Sequence, residues 1–133
     1  MAYCLDTNTI VFCLRGKSTK VMNRLRATPA GDVRVPMQVL AELRLGAEKS
    51  TKPVENRQLV DAFVKPYAVL WPDEHIMEYY VSIRCSLEAT GKSISEADLW
   101  IAATARANGD VMVTNNADEF GRVTGLVVED WSA

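Results

Sequence analysis

At 133 residues the chain fits a single domain, 1–133, large enough to bury a core of its own. Apolar content of 48% and charged content of 24% are those of a soluble globular protein, and no apolar run nears the ~20 residues a membrane helix needs. A net charge of −2 argues against a generic polyanion binder, and the single histidine, His75, excludes acid–base chemistry that needs two.

The charge is unevenly spread. Residues 1–57 carry ten Lys/Arg against five Asp/Glu, whereas residues 58–133 carry five against twelve. A basic half that touches phosphates beside an acidic half that holds metal is one reading; charges that mix again on a solvated surface are the other. Cys4, Cys13 and Cys85 follow no metal or redox spacing, which fits reduced thiols. Met1–Asp6 lacks the basic and long apolar regions of a signal peptide, so a cytoplasmic protein is expected.

In chain order, Tyr3–Leu5 is a short apolar strand, and Asp6-Thr7-Asn8 opens a helix over Thr9–Leu14 that Gly16 closes. Ser18 caps a second helix carrying Val21, Met22 and Leu25. Asp32–Val35 is a second strand. Pro36 suits the first turn of the next helix, 36–49, whose apolar face is Val39, Leu40, Leu43 and Ala47. Glu55–Val64 is helical, Ala68–Trp71 is a third strand, and a long amphipathic helix runs from Asp73 to Gly91. Ser95 opens a helix that ends at Asn108-Gly109, and Val111–Thr114 and Leu126–Glu129 are the last strands. Strands alternating with helices predict a three-layer α/β/α sandwich on a mostly parallel sheet. Ligands of such sheets bind beyond the C-terminal strand edge, where Asp6 and Thr114 fall.

Acidic residues recur at that edge. Asp6 follows the first strand, where an acid holds metal or phosphate, or simply caps the helix behind it. For Glu42 the spacing favours a solvated side chain near Arg44 and Lys49, with an inward one as the alternative. Ser95-Glu96-Ala97-Asp98 fits a capping box, yet Asp98 also opens the nearly all-apolar run Leu99–Ala103, where a buried carboxylate needs a cation or donors. In Thr114–Phe120 the short polar side chains suit a turn, with Asp118 as its cap, or a metal or phosphate shell. Carboxylates gathered at one edge repel unless a hard cation such as Mg²⁺ or Mn²⁺ holds them.

These segments together resemble PIN-domain ribonucleases of the VapC toxin type. Tyr3-Cys4-Leu5-Asp6-Thr7-Asn8 is similar to the family's opening motif, and Ala41-Glu42-Leu43 with Gly46-Ala47 to its second. Asp98-Leu99-Trp100-Ile101-Ala102-Ala103-Thr104-Ala105 resembles the third. Val113–Asn116, Glu119-Phe120, Gly125-Leu126 and Glu129-Asp130-Trp131 resemble the closing pattern. The likeness departs at Ile94-Ser95, where the family commonly has Ile-Gly. It implies a PIN-like fold and an Mg²⁺- or Mn²⁺-dependent endoribonuclease. Asp6 and Asp98 would hold the metal, with Glu42 and Glu119 acting through water or a second ion; Asn116 and Asp118 are alternatives for the fourth position. Thr114 and Asn116 would orient a phosphate or the attacking water, and Arg15, Lys17, Lys20, Arg24 and Arg26 would grip the RNA backbone. The likeness also implies a homodimer, silenced by a VapB-like antitoxin through which operator DNA is bound, and a structured RNA substrate such as tRNA or rRNA.

Two rivals accompany this. A degenerate PIN-like module would bind RNA or protein without cutting. Asp6-Thr7-Asn8-Thr9 is also one residue from the nucleophile motif of haloacid-dehalogenase-type phosphatases, but Asn8 stands where the general acid would be.

Overall fold

Five strands, β1 (Tyr3–Leu5), β2 (Val33–Pro36), β3 (Ala68–Leu70), β4 (Val111–Val113) and β5 (Val128–Glu129), form one sheet in the order β3-β2-β1-β4-β5. Every pairing is parallel. The computed structural model describes all residues, Met1–Ala133. The register sets Cys4 between Arg34 of β2 and Met112 of β4. Val111, Met112 and Val113 are all buried, as expected of a strand covered on both faces.

The helices are α1 (Thr7–Leu14), α2 (Thr19–Ala27), α3 (Met37–Glu48), α4 (Pro53–Val64), α5 (Glu74–Ala89), α6 (Glu96–Asn108) and the single turn α7 (Ala117–Phe120). Right-handed crossovers place α1–α4 on one face of the sheet and α5 and α6 on the other. The packing follows this division, α3 lying on α4 and α5 on α6. The expected three-layer sandwich is therefore present. No helix is long and apolar enough to cross a membrane.

Local chemistry sets the boundaries. The Asp6 carboxylate accepts from the Thr9 amide at 2.9 Å, so Asp6, not Thr7 or Asn8, caps α1, and the helix starts two residues earlier than its apolar pattern indicates. Ser18 and Asp73 cap α2 and α5 in the same way. Pro36 ends β2 instead of entering α3, since its extended ψ of 145° continues the strand. Pro53 occupies the first turn of α4, which begins ahead of Glu55 because the missing N–H costs nothing there. Asp32 lies outside β2, in a 3-10 turn where its amide bonds Pro29 O at 2.9 Å. Val128 starts β5, because Gly125 at φ +80° and the Leu126 amide to Val123 O hold the preceding residues in a turn.

In α6, Leu99, Ile101, Ala102, Ala103, Thr104 and Ala105 are all buried. The run of small residues lets this helix approach the sheet and α5 closely. It ends in left-handed Gly109, with the Asp110 amide reaching Ala105 O at 2.9 Å. α6 is thus fixed at both ends, and its first turn carries Asp98.

Candidate active site

Strand order reverses at β1: the chain first builds outward through β2 and β3, then returns to β4 on the other side. Asp6 follows β1 and Thr114 follows β4, so both sit at the switch point. Asp6 is held in place from both sides. Its amide bonds Val113 O at 3.1 Å, and its carboxylate caps α1.

A cavity of about 90 Å³ opens there, lined by Asp6, Thr7, Asn8, Glu42, Asp98, Ile101, Asn116 and Phe120. Acids from α3 and α6 and from the β1 terminus therefore meet in one place, although 92 residues separate the first from the last. No Lys, Arg or His lines the cavity. Glu42 is half-buried and accepts from the Thr7 hydroxyl at 2.6 Å. Arg44, which the spacing made a partner for Glu42, bonds Asp61 instead at 3.1 Å. Ala41, beside Glu42, is exposed, so the inward side of this turn is carried by Leu43 and Glu42.

The electrostatics report crowding. Asp6 is only 5% exposed, and burial raises its pKa. Hydrogen bonds from Thr114 and Thr9 oppose the shift, and Glu42 adds to it. Asp98 is pushed up to about 6, first by burial and then by Glu119 and Glu42; the Ser95 hydroxyl counters this. Ser95 Oγ also accepts from the Asp98 amide at 3.2 Å, the forward half of the capping box.

Glu119 does not line the cavity but stands against Asp98 at its rim, half-buried. Asp118 is exposed and outside the cavity wall, and the cap position of α7 belongs to Asn116. Thr114 stands one layer behind: it is 1% exposed, its hydroxyl accepts from the Asn116 amide at 2.9 Å, and it stabilises the Asp6 carboxylate. The Thr7–Glu42 bond and the support from Thr9 went unread in the sequence. Their one signal is the run of hydroxyl residues around Asp6, which reads equally well as capping chemistry.

Of the five basic residues near the N-terminus, Arg24 is already engaged. It bonds Glu129 at 3.3 Å and lies over the rings of Trp131 and Tyr3 at 5.0 and 5.9 Å. Lys17, Lys20 and Arg26 are exposed, and Arg15 lines a groove of about 260 Å³ between α1, α3 and α4. That groove is largely apolar, with Val11, Leu14, Leu43, Leu59 and Val60, and meets the acidic cavity at Thr7 and Glu42.

The donor set suits a hard divalent cation: carboxylate and amide oxygens, with no thiolate or imidazole. Asp6, Glu42 and Asp98 share the walls of this cavity without closing as a group of three on one metal-binding point. An open site of this kind fits Mg²⁺, which usually keeps several waters and takes only one or two carboxylates.

Fold and site together define a doubly wound α/β protein with a carboxylate-lined site at its switch point. The PIN domain model matches residues 3–126. The chain is 36% identical over 132 residues to the tRNA(fMet)-specific endonuclease VapC of Shigella flexneri, covering 99% of each. Among solved structures it is similar to VapBC2 from Rickettsia felis bound to a promoter DNA fragment, with a TM-score of 0.93, 32% identity and coverage of 98% and 99%. DNA-bound VapBC from Salmonella typhimurium also gives 0.93, at 34% identity over 98% of each chain. The chain belongs to the VapC group of the PIN-domain family. Membership replaces the haloacid-dehalogenase alternative.

Proposed function

We propose that this protein is a divalent-metal-dependent endoribonuclease, the toxin of a toxin–antitoxin pair, acting in the cytoplasm on a structured RNA such as tRNA or rRNA. The observation that carries the proposal is the cavity shared by Asp6, Glu42 and Asp98, with Glu119 at its rim and no cationic side chain to balance them. Two of these acids have raised proton affinity, as acids do when a compensating cation is part of their working state.

Asp6 and Asp98 would hold Mg²⁺ or Mn²⁺, and Glu42 and Glu119 would act through water or a second ion. The bound metal supplies a water of lowered pKa and neutralises charge on the scissile phosphate. The protein supplies the positions. Capping of α1 fixes the Asp6 carboxylate, and hydrogen bonds from Thr114 and Thr9 favour its ionised form against the effect of burial. The Thr7 hydroxyl holds one Glu42 oxygen and leaves the other free. Asn116 lines the cavity, where its side-chain amide would orient a phosphate oxygen or the attacking water, while Thr114 would act through Asp6 and the Asn116 backbone. Ile101 and Phe120 close the apolar side of the cavity. Exposed Lys17, Lys20 and Arg26 would contact the RNA backbone.

Relatives solved as VapBC complexes on DNA support a VapB-like antitoxin as partner and operator DNA as a target of the complex. In this proposal the toxin is a homodimer and the DNA is contacted through the antitoxin. The apolar groove that meets the cavity at Glu42 suits an antitoxin segment whose end reaches the acids.

Incubation of antitoxin-free protein with total tRNA and rRNA, in Mg²⁺ or Mn²⁺ and in EDTA, tests the proposal. Discrete fragments that require metal are expected. Intact RNA in all conditions, from a folded protein, would refute it and favour the non-cutting module.

A further inference from the structure

A second groove, of about 220 Å³, runs along α5 between the C-terminal half of α6 and the segment after α7. Arg106 and Arg122 line it with Tyr79, Ser82, Ser86 and Thr124, and no acidic residue does. This is unusual in its setting, since residues 58–133 hold twelve acids and five basic residues. Arg24, Arg34, Arg44, Arg57 and Arg84 each have a carboxylate partner, whereas Arg106 and Arg122 have none.

Arg106 is held ready instead. Its guanidinium lies 5.2 Å over the Tyr79 ring and against the Gly125 backbone. A Cβ at Gly125 would come within 3.0 Å of that guanidinium, and φ at this residue is +80°, so glycine serves both the turn and the arginine's position. Arg122 donates one bond, to Ser93 O at 3.3 Å, leaving its remaining N–H groups available.

The groove and the acidic site share no lining residue, but the chain links them closely. Arg122 follows Glu119 by three residues, and its partner Ser93 precedes the Ser95 cap of α6 by two. Two guanidinium forks without carboxylate partners, flanked by hydroxyl donors, match phosphate oxygens and ribose hydroxyls. We infer that this groove carries the sugar–phosphate backbone of the RNA strand on one side of the cut, with Arg122 and Arg106 each on a phosphate. The inference rests on the nuclease reading and extends it to a strand path that the basic N-terminal half does not supply.

Binding of a labelled single-stranded RNA of mixed sequence, followed by anisotropy in EDTA across a salt series, tests it without cleavage. The double variant Arg106→Gln/Arg122→Gln is compared with Arg57→Gln, which removes a charge from the α4 surface. The double variant should bind roughly tenfold more weakly or worse, and its slope of log affinity against log salt should flatten by about 0.7 for each phosphate no longer neutralised. Affinity and slope equal to those of Arg57→Gln would overturn the inference. So would unchanged RNA affinity with abolished antitoxin binding, which would assign the groove to an acidic protein segment. Wild-type protein that binds RNA through these arginines yet never cuts would sink the nuclease reading alone; a cutting wild type beside an unaffected double variant would sink only the groove.

Discussion

Asp98 and Glu119 stand against one another at the mouth of the acidic cavity, and after burial itself Glu119 is what most raises the proton affinity of Asp98, to a pKa of about 6. The pair therefore costs folding energy when both are ionised and no cation is present. Because the folded pKa lies above the unfolded one, the stability Asp98 contributes is complete below about pH 4 and is lost as pH rises through about 6. Asp6 is shifted in the same direction. Asp98→Asn should accordingly be more stable than the wild type at pH 7 in EDTA, by about 1 kcal/mol after allowance for solvent screening of this half-exposed group. Thermal melts check this; a variant that melts earlier than wild type would contradict it.

The double use of Asp6 separates structure from chemistry. Asparagine accepts the Thr9 amide as aspartate does, so Asp6→Asn should fold with near wild-type stability and lose cleavage. Asp6→Ala loses the cap as well and should cost about 1 kcal/mol further. Denaturant midpoints beside RNA cleavage distinguish the two; equal stability of both variants would mean that the cap contributes nothing to folding.

Thr114→Val takes away a buried hydroxyl that favours the Asp6 carboxylate and receives the Asn116 amide. A loss of about 1–2 kcal/mol is expected. Since the missing hydrogen bond held the Asp6 pKa down, the rising limb of cleavage against pH should move to higher pH. A pH–rate profile measures it, and an unmoved limb would show that Thr114 serves packing alone.

Beyond the site, Asp110 is buried before β4 with no hydrogen-bond partner for its oxygens, and only the Arg34 guanidinium, at 3.3 Å, offsets its charge. Arg34→Met should cost about 3 kcal/mol by leaving that carboxylate alone, and Arg34→Met/Asp110→Leu should recover much of the loss. A double-mutant cycle by chemical denaturation reads the coupling.

The docking of α6 is tested by Trp100, whose ring stacks on Tyr80 of α5 at 3.9 Å and 6°. Arg84 ties the same junction together, bonding the Tyr80 hydroxyl at 2.6 Å and Glu96 at 2.9 Å. Trp100→Ala should lower stability by about 2 kcal/mol, since the stack is only partly buried. Calorimetry would show it, and a loss below about 0.5 kcal/mol would mean the stack is incidental.

Periodicity made nearly every element legible, because a helix or strand covered by neighbours must repeat its apolar residues at 3.6 or 2. The meeting of Asp6 with Asp98 was legible too, since alternating strands and helices bring strand ends to one edge. What sequence could not carry were contacts made only in three dimensions. Thr7 bonds Glu42 across 35 residues, and from spacing alone Glu42 looked solvated. Arg24 looked free beside Arg26 until Glu129 and Trp131, more than 100 residues away, closed on it. The starts of α1 and α4 shifted for a related reason: caps and prolines act through backbone N–H groups, which the apolar pattern does not register.

Calorimetric titration of Mn²⁺ into antitoxin-free protein, beside Asp6→Asn and Asp98→Asn, asks whether the acidic cavity holds a divalent cation. Saturable binding to the wild type is expected, at least about tenfold weaker in either variant, with proton release that grows as pH falls through about 6, where Asp98 titrates. Equal Mn²⁺ affinity in all three proteins would contradict a metal site built on these carboxylates.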